Sequence, residues 1–199
     1  LTGVEPPAMA VNLLDFECLA RSVPGTEVAR ARAWANVDPR FPGVVTPGAV
    51  TVVIVPSLPA DAPTPTNGLI RRVRAFLQER KPLACRLFVV GPGYQSVGVQ
   101  ATLHTTRTKV DSVRQAADAA VRTFLHPTEG GLSGAGWPFG RDLHAGELMR
   151  ILAGVSDVVH VTGLQLAAGD GPWSDAPLNV PPRCLLKLTQ LLLDVRGDA

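Results

Sequence analysis

Apolar residues recur along this chain in two rhythms, and most of its elements can be read from them. At helical spacing, Leu13, Phe16, Leu19 and Ala20 share a face over 13–23, with Asn12 placed to cap and Pro24-Gly25 to stop the run. A stronger stripe of Leu69, Ile70, Val73, Phe76 and Leu77 predicts a helix capped by Asn67 and ended by Lys81-Pro82. A third places Val110, Val113, Ala117, Ala120, Val121 and Phe124 on one side, with Thr108 and Asp111 as a capping-box variant and His126-Pro127 as its end. A short fourth helix carries Leu148, Ile151 and Leu152 and stops at Gly154.

The second rhythm is that of strands. Val28 to Trp34 alternates, with Ala29, Ala31 and Ala33 on one side, and Val50 to Val55 is a continuous β-branched run, as in a strand buried on both faces. Arg86 to Val90 reads as a strand broken at Gly91-Pro92-Gly93. From Gln95 the alternation is strict: Val97, Val99, Ala101 and Leu103 point one way, Ser96, Gln100, Thr102 and His104 the other. Val158 to Leu166 follows with a bulge expected at Gly163, and the last apolar element, Cys184 to Val195, is read as a strand. The stretches 38–48, 56–67, 129–140 and 167–182 read as loops.

The fold class expected is α+β: two small sheet-plus-helix units of ferredoxin-like character, one over 1–106 and a second, incomplete one over 107–199. A faint internal echo supports duplication. Leu19-Ala20-Arg21, Gly25 and Val28-Ala29 resemble Leu148-Met149-Arg150, Gly154 and Val158-Val159, each a helix, a glycine stop and a strand.

Composition narrows the function. Hydrophobic residues make up 46% and charged residues 18%, a globular balance, so the 18 prolines and 19 glycines belong to loops. A net charge of +2 is too small for a committed nucleic-acid binder, and no apolar run approaches the length of a spanning helix. The chain begins at Leu1 with no leader pattern, which suggests a piece of a longer protein. Cys18, Cys85 and Cys184 have no metal or disulfide-framework spacing and are expected as unpaired thiols in a reducing compartment.

Catalytic motifs are not found. Gly131-Leu132-Ser133-Gly134 lacks the spacing of a nucleophile elbow, and the 130–140 loop has no Lys for a phosphate loop and no dinucleotide fingerprint. His104, His126, His144 and His160 lie on four separate elements, none at metal-site spacing. Arg71, Arg72, Arg74 and Arg80 decorate one helix, which reads as a solvated face more readily than as a nucleic-acid patch. No catalytic, metal or cofactor residue is assigned, and no cofactor is expected.

The unusual feature is Gly136-Trp137-Pro138-Phe139-Gly140-Arg141, two large aromatics and an Arg in a Gly/Pro loop. Either the rings fold back over the core, or the loop is a contact surface, since Trp and Arg are favoured interface anchors. Trp137, Phe139, Gly140 and Arg141 are the candidate interface residues, and part of the loop is expected to touch another subunit.

Phe124-Leu125-His126-Pro127, Gly130-Gly131 and Gly134-x-Gly136-Trp137-Pro138-Phe139-Gly140-Arg141 resemble the hallmark stretch of the baseplate J-like family. Glu147-Leu148, Gly154-Val155 and Val158-Val159 continue it. Upstream, Lys81-Pro82-Leu83, Gly91-Pro92-x-Tyr94, Val23-Pro24-Gly25 and Val28-Ala29-Arg30-Ala31 also match, so the likeness is collinear from about 10 to 166. The resemblance implies a non-enzymatic wedge subunit of a contractile phage-tail-like injection system. Its partners would be other wedge subunits, hub or spike and sheath, in a ring of several copies, without nucleic acid or membrane insertion. It would assemble in the cytoplasm into a phage-tail-like particle. The other classes weighed are a hydrolase with a scattered His/Asp/Ser site and a small nucleic-acid-binding α+β domain.

Overall fold

The computed structural model of the protein describes residues 6–197. It has the α+β class expected, in two compact units, the first ending at Pro92 and the second beginning at Gly93. The sequence division after 106 gives way to this earlier one because the strand from Gly93 is the centre of the second sheet. Ferredoxin-like character extends to helices packed on a sheet, but each sheet has three strands and one parallel pair.

The first unit runs α1 (Leu13–Arg21), β1 (Val28–Val37), β2 (Val45–Pro56), α2 (Asn67–Gln78) and β3 (Arg86–Val90). β2 is central, antiparallel to β1 and parallel to β3 through the α2 crossover. α1 begins at a reciprocal capping box: Asp15 N–H donates to Asn12 Oδ1 at 3.0 Å, and Asn12 N–H to Asp15 Oδ2 at 2.9 Å. The cap of α2 is Thr66, whose Oγ1 accepts the Leu69 N–H at 3.2 Å; Asn67, the residue expected to cap, is the first helical residue. Phe16, Leu19 and Ala20 of α1 and Val73 and Leu77 of α2 form a core with Val52, Ile54, Leu87 and Val89. β1 is bulged after Val28, which takes Ala29 out of the row; Ala33 is buried, and Ala31 packs partly buried against the same core. β2 starts at Val45, earlier than the apolar run, and Thr51 to Val55 are buried without interruption, as a two-faced strand requires. Over its second face the Arg40 guanidinium lies 5.0 Å from the Phe88 ring centre, held there by Asp38.

The second unit runs β4 (Gly93–Thr105), α3 (Val110–Leu125), α4 (Ala145–Ala153), β5 (His160–Ala168) and β6 (Cys184–Gly197). β4 is central, antiparallel to β5 and parallel to β6. Its alternation is realised: Val97, Val99, Ala101 and Leu103 are buried while Gln100, Thr102 and His104 are half-exposed. Gly98, between them, is buried because Trp173 packs against it. The Thr108–Asp111 capping box does not form; a 3₁₀ turn over Arg107–Lys109 leads into α3, whose N-cap Lys109 makes no side-chain cap bond. The expected bulge in β5 is present, with Gly163 at φ +60° between the Gln100–Gln165 and Thr102–Thr162 pairs. The core gathers these β4 residues with Val113, Ala117, Val121 and Phe124 of α3, Leu148 and Leu152 of α4, and Leu186 and Val195 of β6.

Candidate functional site

The Gly-rich loop after α3 is built from the helix end outward. Proline at 127 disfavours helical geometry at His126, which turns extended at φ −62°, ψ 133°. Carbonyls at the end of α3 then need donors, and the loop supplies them. Gly131 N–H donates to Phe124 O at 2.8 Å, and His126 O accepts from Gly130 N–H at 3.0 Å and Trp137 N–H at 3.2 Å. A Cβ on Gly130 would stand 2.4 Å from Phe124 O, so only glycine closes this turn. Gly136 N–H returns to Gly130 O at 2.9 Å, which brings the next residue under the helix.

That residue is Trp137, and it is completely buried. Its ring meets Phe124 edge-on with centroids 5.5 Å apart, and its Nε1–H donates to Arg141 O at 3.1 Å, so the indole is satisfied inside the core. The Arg141 guanidinium lies 5.0 Å from the centre of the same ring and is ion-paired with Glu147. Glu147 Oε2 also accepts His144 N–H at 3.3 Å, so one carboxylate holds both the arginine and the start of α4. Gly140, at φ +65°, donates its N–H to Cys184 O at 2.9 Å, and a Cβ there would come within 3.1 Å of Pro182 Cα. Asp142 Oδ1 accepts Val180 N–H at 2.8 Å, and Leu143 exchanges backbone hydrogen bonds with Leu178.

Of the four candidate interface residues, Trp137 is thus a core side chain and Gly140 a close backbone approach. Arg141 is two-thirds covered, with its side chain 33% exposed, and Phe139 is half-buried. The loop exposes Leu132 to Ala135 and Pro138, and beside them the outer sides of Phe139 and Arg141 remain partly open to solvent.

The histidines do not converge on one centre, but two meet. His104 and His160 face each other across β4 and β5 with rings stacked 4.0 Å apart, and His104 Nε2 lies 3.3 Å from Thr162 Oγ1. The pairing was invisible in sequence because it needs the strand register. Among the described residues, no group of three or more His, Cys, Asp and Glu side chains is arranged to hold a metal ion. Arg72 of α2 donates to Gly25 O at 3.0 Å, and Arg80, just beyond the end of α2, lies 3.7 Å over the Phe76 ring, so two of the four arginines are engaged within the first unit. All three cysteines are free thiols, and burial pushes Cys85 and Cys184 above the ordinary thiol pKa, opposed by Lys81 and Arg183 respectively. No described helix is long and apolar enough to cross a membrane.

No family model and no curated protein matches the chain. Its fold does match a chain in the cryo-EM structure of the anti-feeding prophage (AFP) baseplate, six-fold symmetrised. The TM-score is 0.64 at 16% identity, over 91% of this chain and 38% of that one. The protein shares the fold of part of that baseplate chain, and spans well under half of its length.

Proposed function

We propose that the chain is a structural subunit of the baseplate of a contractile phage-tail-like injection system, of the baseplate J-like wedge type. It assembles in the cytoplasm, in several copies around a hub and spike, links them to the sheath, and performs no chemistry of its own. The observation that carries this reading is the match of 91% of the chain to the fold of a baseplate component. The Gly136–Arg141 stretch supports it: Gly136, Trp137, Gly140 and Arg141 close the helix end, fill the core, allow a close approach and hold Glu147, which is the work of a scaffold. Mass spectrometry of intact native particles should find the chain together with sheath, tube and spike proteins. Its absence from such particles, or stoichiometric zinc or nucleotide in the purified protein, would count against the proposal.

Within this reading, the outer sides of Phe139 and Arg141 contact a neighbouring subunit. Because Arg141 also holds Glu147, Phe139→Ala is the cleaner probe. It should leave the melting temperature of the isolated chain within a few degrees and reduce incorporation into particles. Normal incorporation would show that the loop serves the core alone.

A further inference from the structure

The four outer strands of the two sheets differ in how their free edges are protected. An unpaired strand edge is a template for another chain, and proteins blunt it with bulges, brevity, proline, inward charge or a covering segment. β1 carries two register breaks, after Val28 and after Ala35. β3 has only five residues. β5 is bulged at Gly163, and its Leu166 exchanges hydrogen bonds of 2.7 and 2.8 Å with Ser174, which covers part of its edge. β6 is 14 residues long and contains no proline.

Its single irregularity lies early. Val97 pairs with Leu188 and Gly98 with Gln190, which leaves Thr189 as the extra residue, its hydroxyl donating to Val97 O at 3.2 Å. From Gln190 to Gly197 the alternation is then unbroken. Leu191, Leu193 and Val195 face the core; Gln190, Leu192, Asp194 and Arg196 are exposed. Among the described residues, the only backbone pairing of Leu185–Gly197 is the ladder to β4. Leu191 and Leu193 stay partly exposed although they face the core, as expected where a sheet stops without a neighbour.

We infer that the outer edge of β6 over Gln190–Gly197 is a strand-addition site whose occupant is β6 of a second copy of this chain, running antiparallel. The reason for choosing a second copy is self-complementarity. Centred on Leu193, the two-fold register sets Leu193 against its own counterpart and Leu191 against Val195, so the core-facing stripe continues across the seam. On the other face it sets Gln190 against Arg196 and Leu192 against Asp194. No like charges stand directly opposed, and every favourable pair occurs twice. The result is one six-stranded sheet through two copies, in which backbone hydrogen bonds give affinity and the side-chain rows fix the register.

The inference does not depend on the baseplate reading and is tested on the isolated chain. Sedimentation velocity from ~1 to ~100 µM should show a concentration-dependent dimer. Leu192 is 44% exposed, so substitutions there spare the fold, which thermal melts at the lowest concentration check. In the inferred register residue 192 faces Asp194 of the other copy. Leu192→Glu should therefore raise the dimer dissociation constant about tenfold or more over that of Leu192→Lys. Adding Asp194→Lys to Leu192→Glu should restore the dimer. A chain monomeric throughout the range overturns the inference, and so does a dimer indifferent to the sign of charge at 192.

Discussion

The two units are built from the same parts in a different chain order. Among the described residues, each has a central strand with one antiparallel and one parallel neighbour, and each has two α-helices. In the first unit the helix and antiparallel strand, α1 and β1, precede the central β2. In the second their counterparts, α4 and β5, follow the central β4 and its first helix. The echo between Leu19–Ala29 and Leu148–Val159 marks this same helix-to-strand pair. What separates the units is the central strand itself. β2 is buried along Thr51 to Val55, whereas β4 alternates and keeps a polar face. A strand covered on both sides spreads its packing over many β-branched residues. A one-faced strand concentrates it on one side, where a loop adds Trp137, the largest fully buried side chain, to Phe124 and an aliphatic core.

The largest expected effect tests that concentration. Trp137→Ala removes a fully buried indole together with its contact to Phe124, and should cost about 3–5 kcal/mol. Hydrogen exchange should show the loss in β4, α3 and β6 while amides of β2 keep their protection. Equal loss in both units would break the comparison.

A smaller effect sharpens it. Gly140→Ala places a side chain at positive φ against Pro182, and should cost about 1–2 kcal/mol in urea unfolding. No loss would mean that the loop yields more easily than its hydrogen bonds suggest.

The smallest effect lies in the first unit. The side-chain hydrogen bonds from Arg40 hold Asp38 below the usual carboxylate range, against the opposing effect of burial. Because the folded pKa is lowered, the unfolded state takes up the proton first as pH falls. The stabilisation is therefore complete above the ordinary aspartate pKa and is lost as pH drops through the lowered value. Exchange of the 38–41 amides should speed up over that acid range in the wild type, and Asp38→Asn should abolish the dependence. A pH-independent loop would show that Arg40 stays over Phe88 without the carboxylate.

Local signals in the sequence carried the fold far. The alternation of β4, the bulge at Gly163 and the cap at Asn12 depend on neighbouring residues and are present as read. Where two cap formers stand together, as at Thr66 and Asn67, composition does not choose between them, and the side chain reaching Leu69 decides. The Thr108–Asp111 pattern failed because a tighter turn intervenes before α3. β4 was assigned to the first unit because its partner in β6 lies far along the chain, beyond any local period. The loop was ambiguous for a different reason. Its composition suits an inward or an outward Trp137, and the choice is made by Gly130 and Gly131 returning to the end of α3.

The ladder between β4 and β6 also sets the order in which the molecule can form. The β1–β2 hairpin closes between Val37 and Val45, and β3 joins β2 after one helix. In the second unit Gly93 must find Cys184, and every later rung spans a comparable length of chain. Closing such a loop is entropically expensive and slow, and nothing rewards it until the ladder itself begins to zip. The first unit can therefore reach its native state while β6 is still being synthesised. The second waits for its last strand, and the rate at which that strand docks sets the pace of folding for the whole chain.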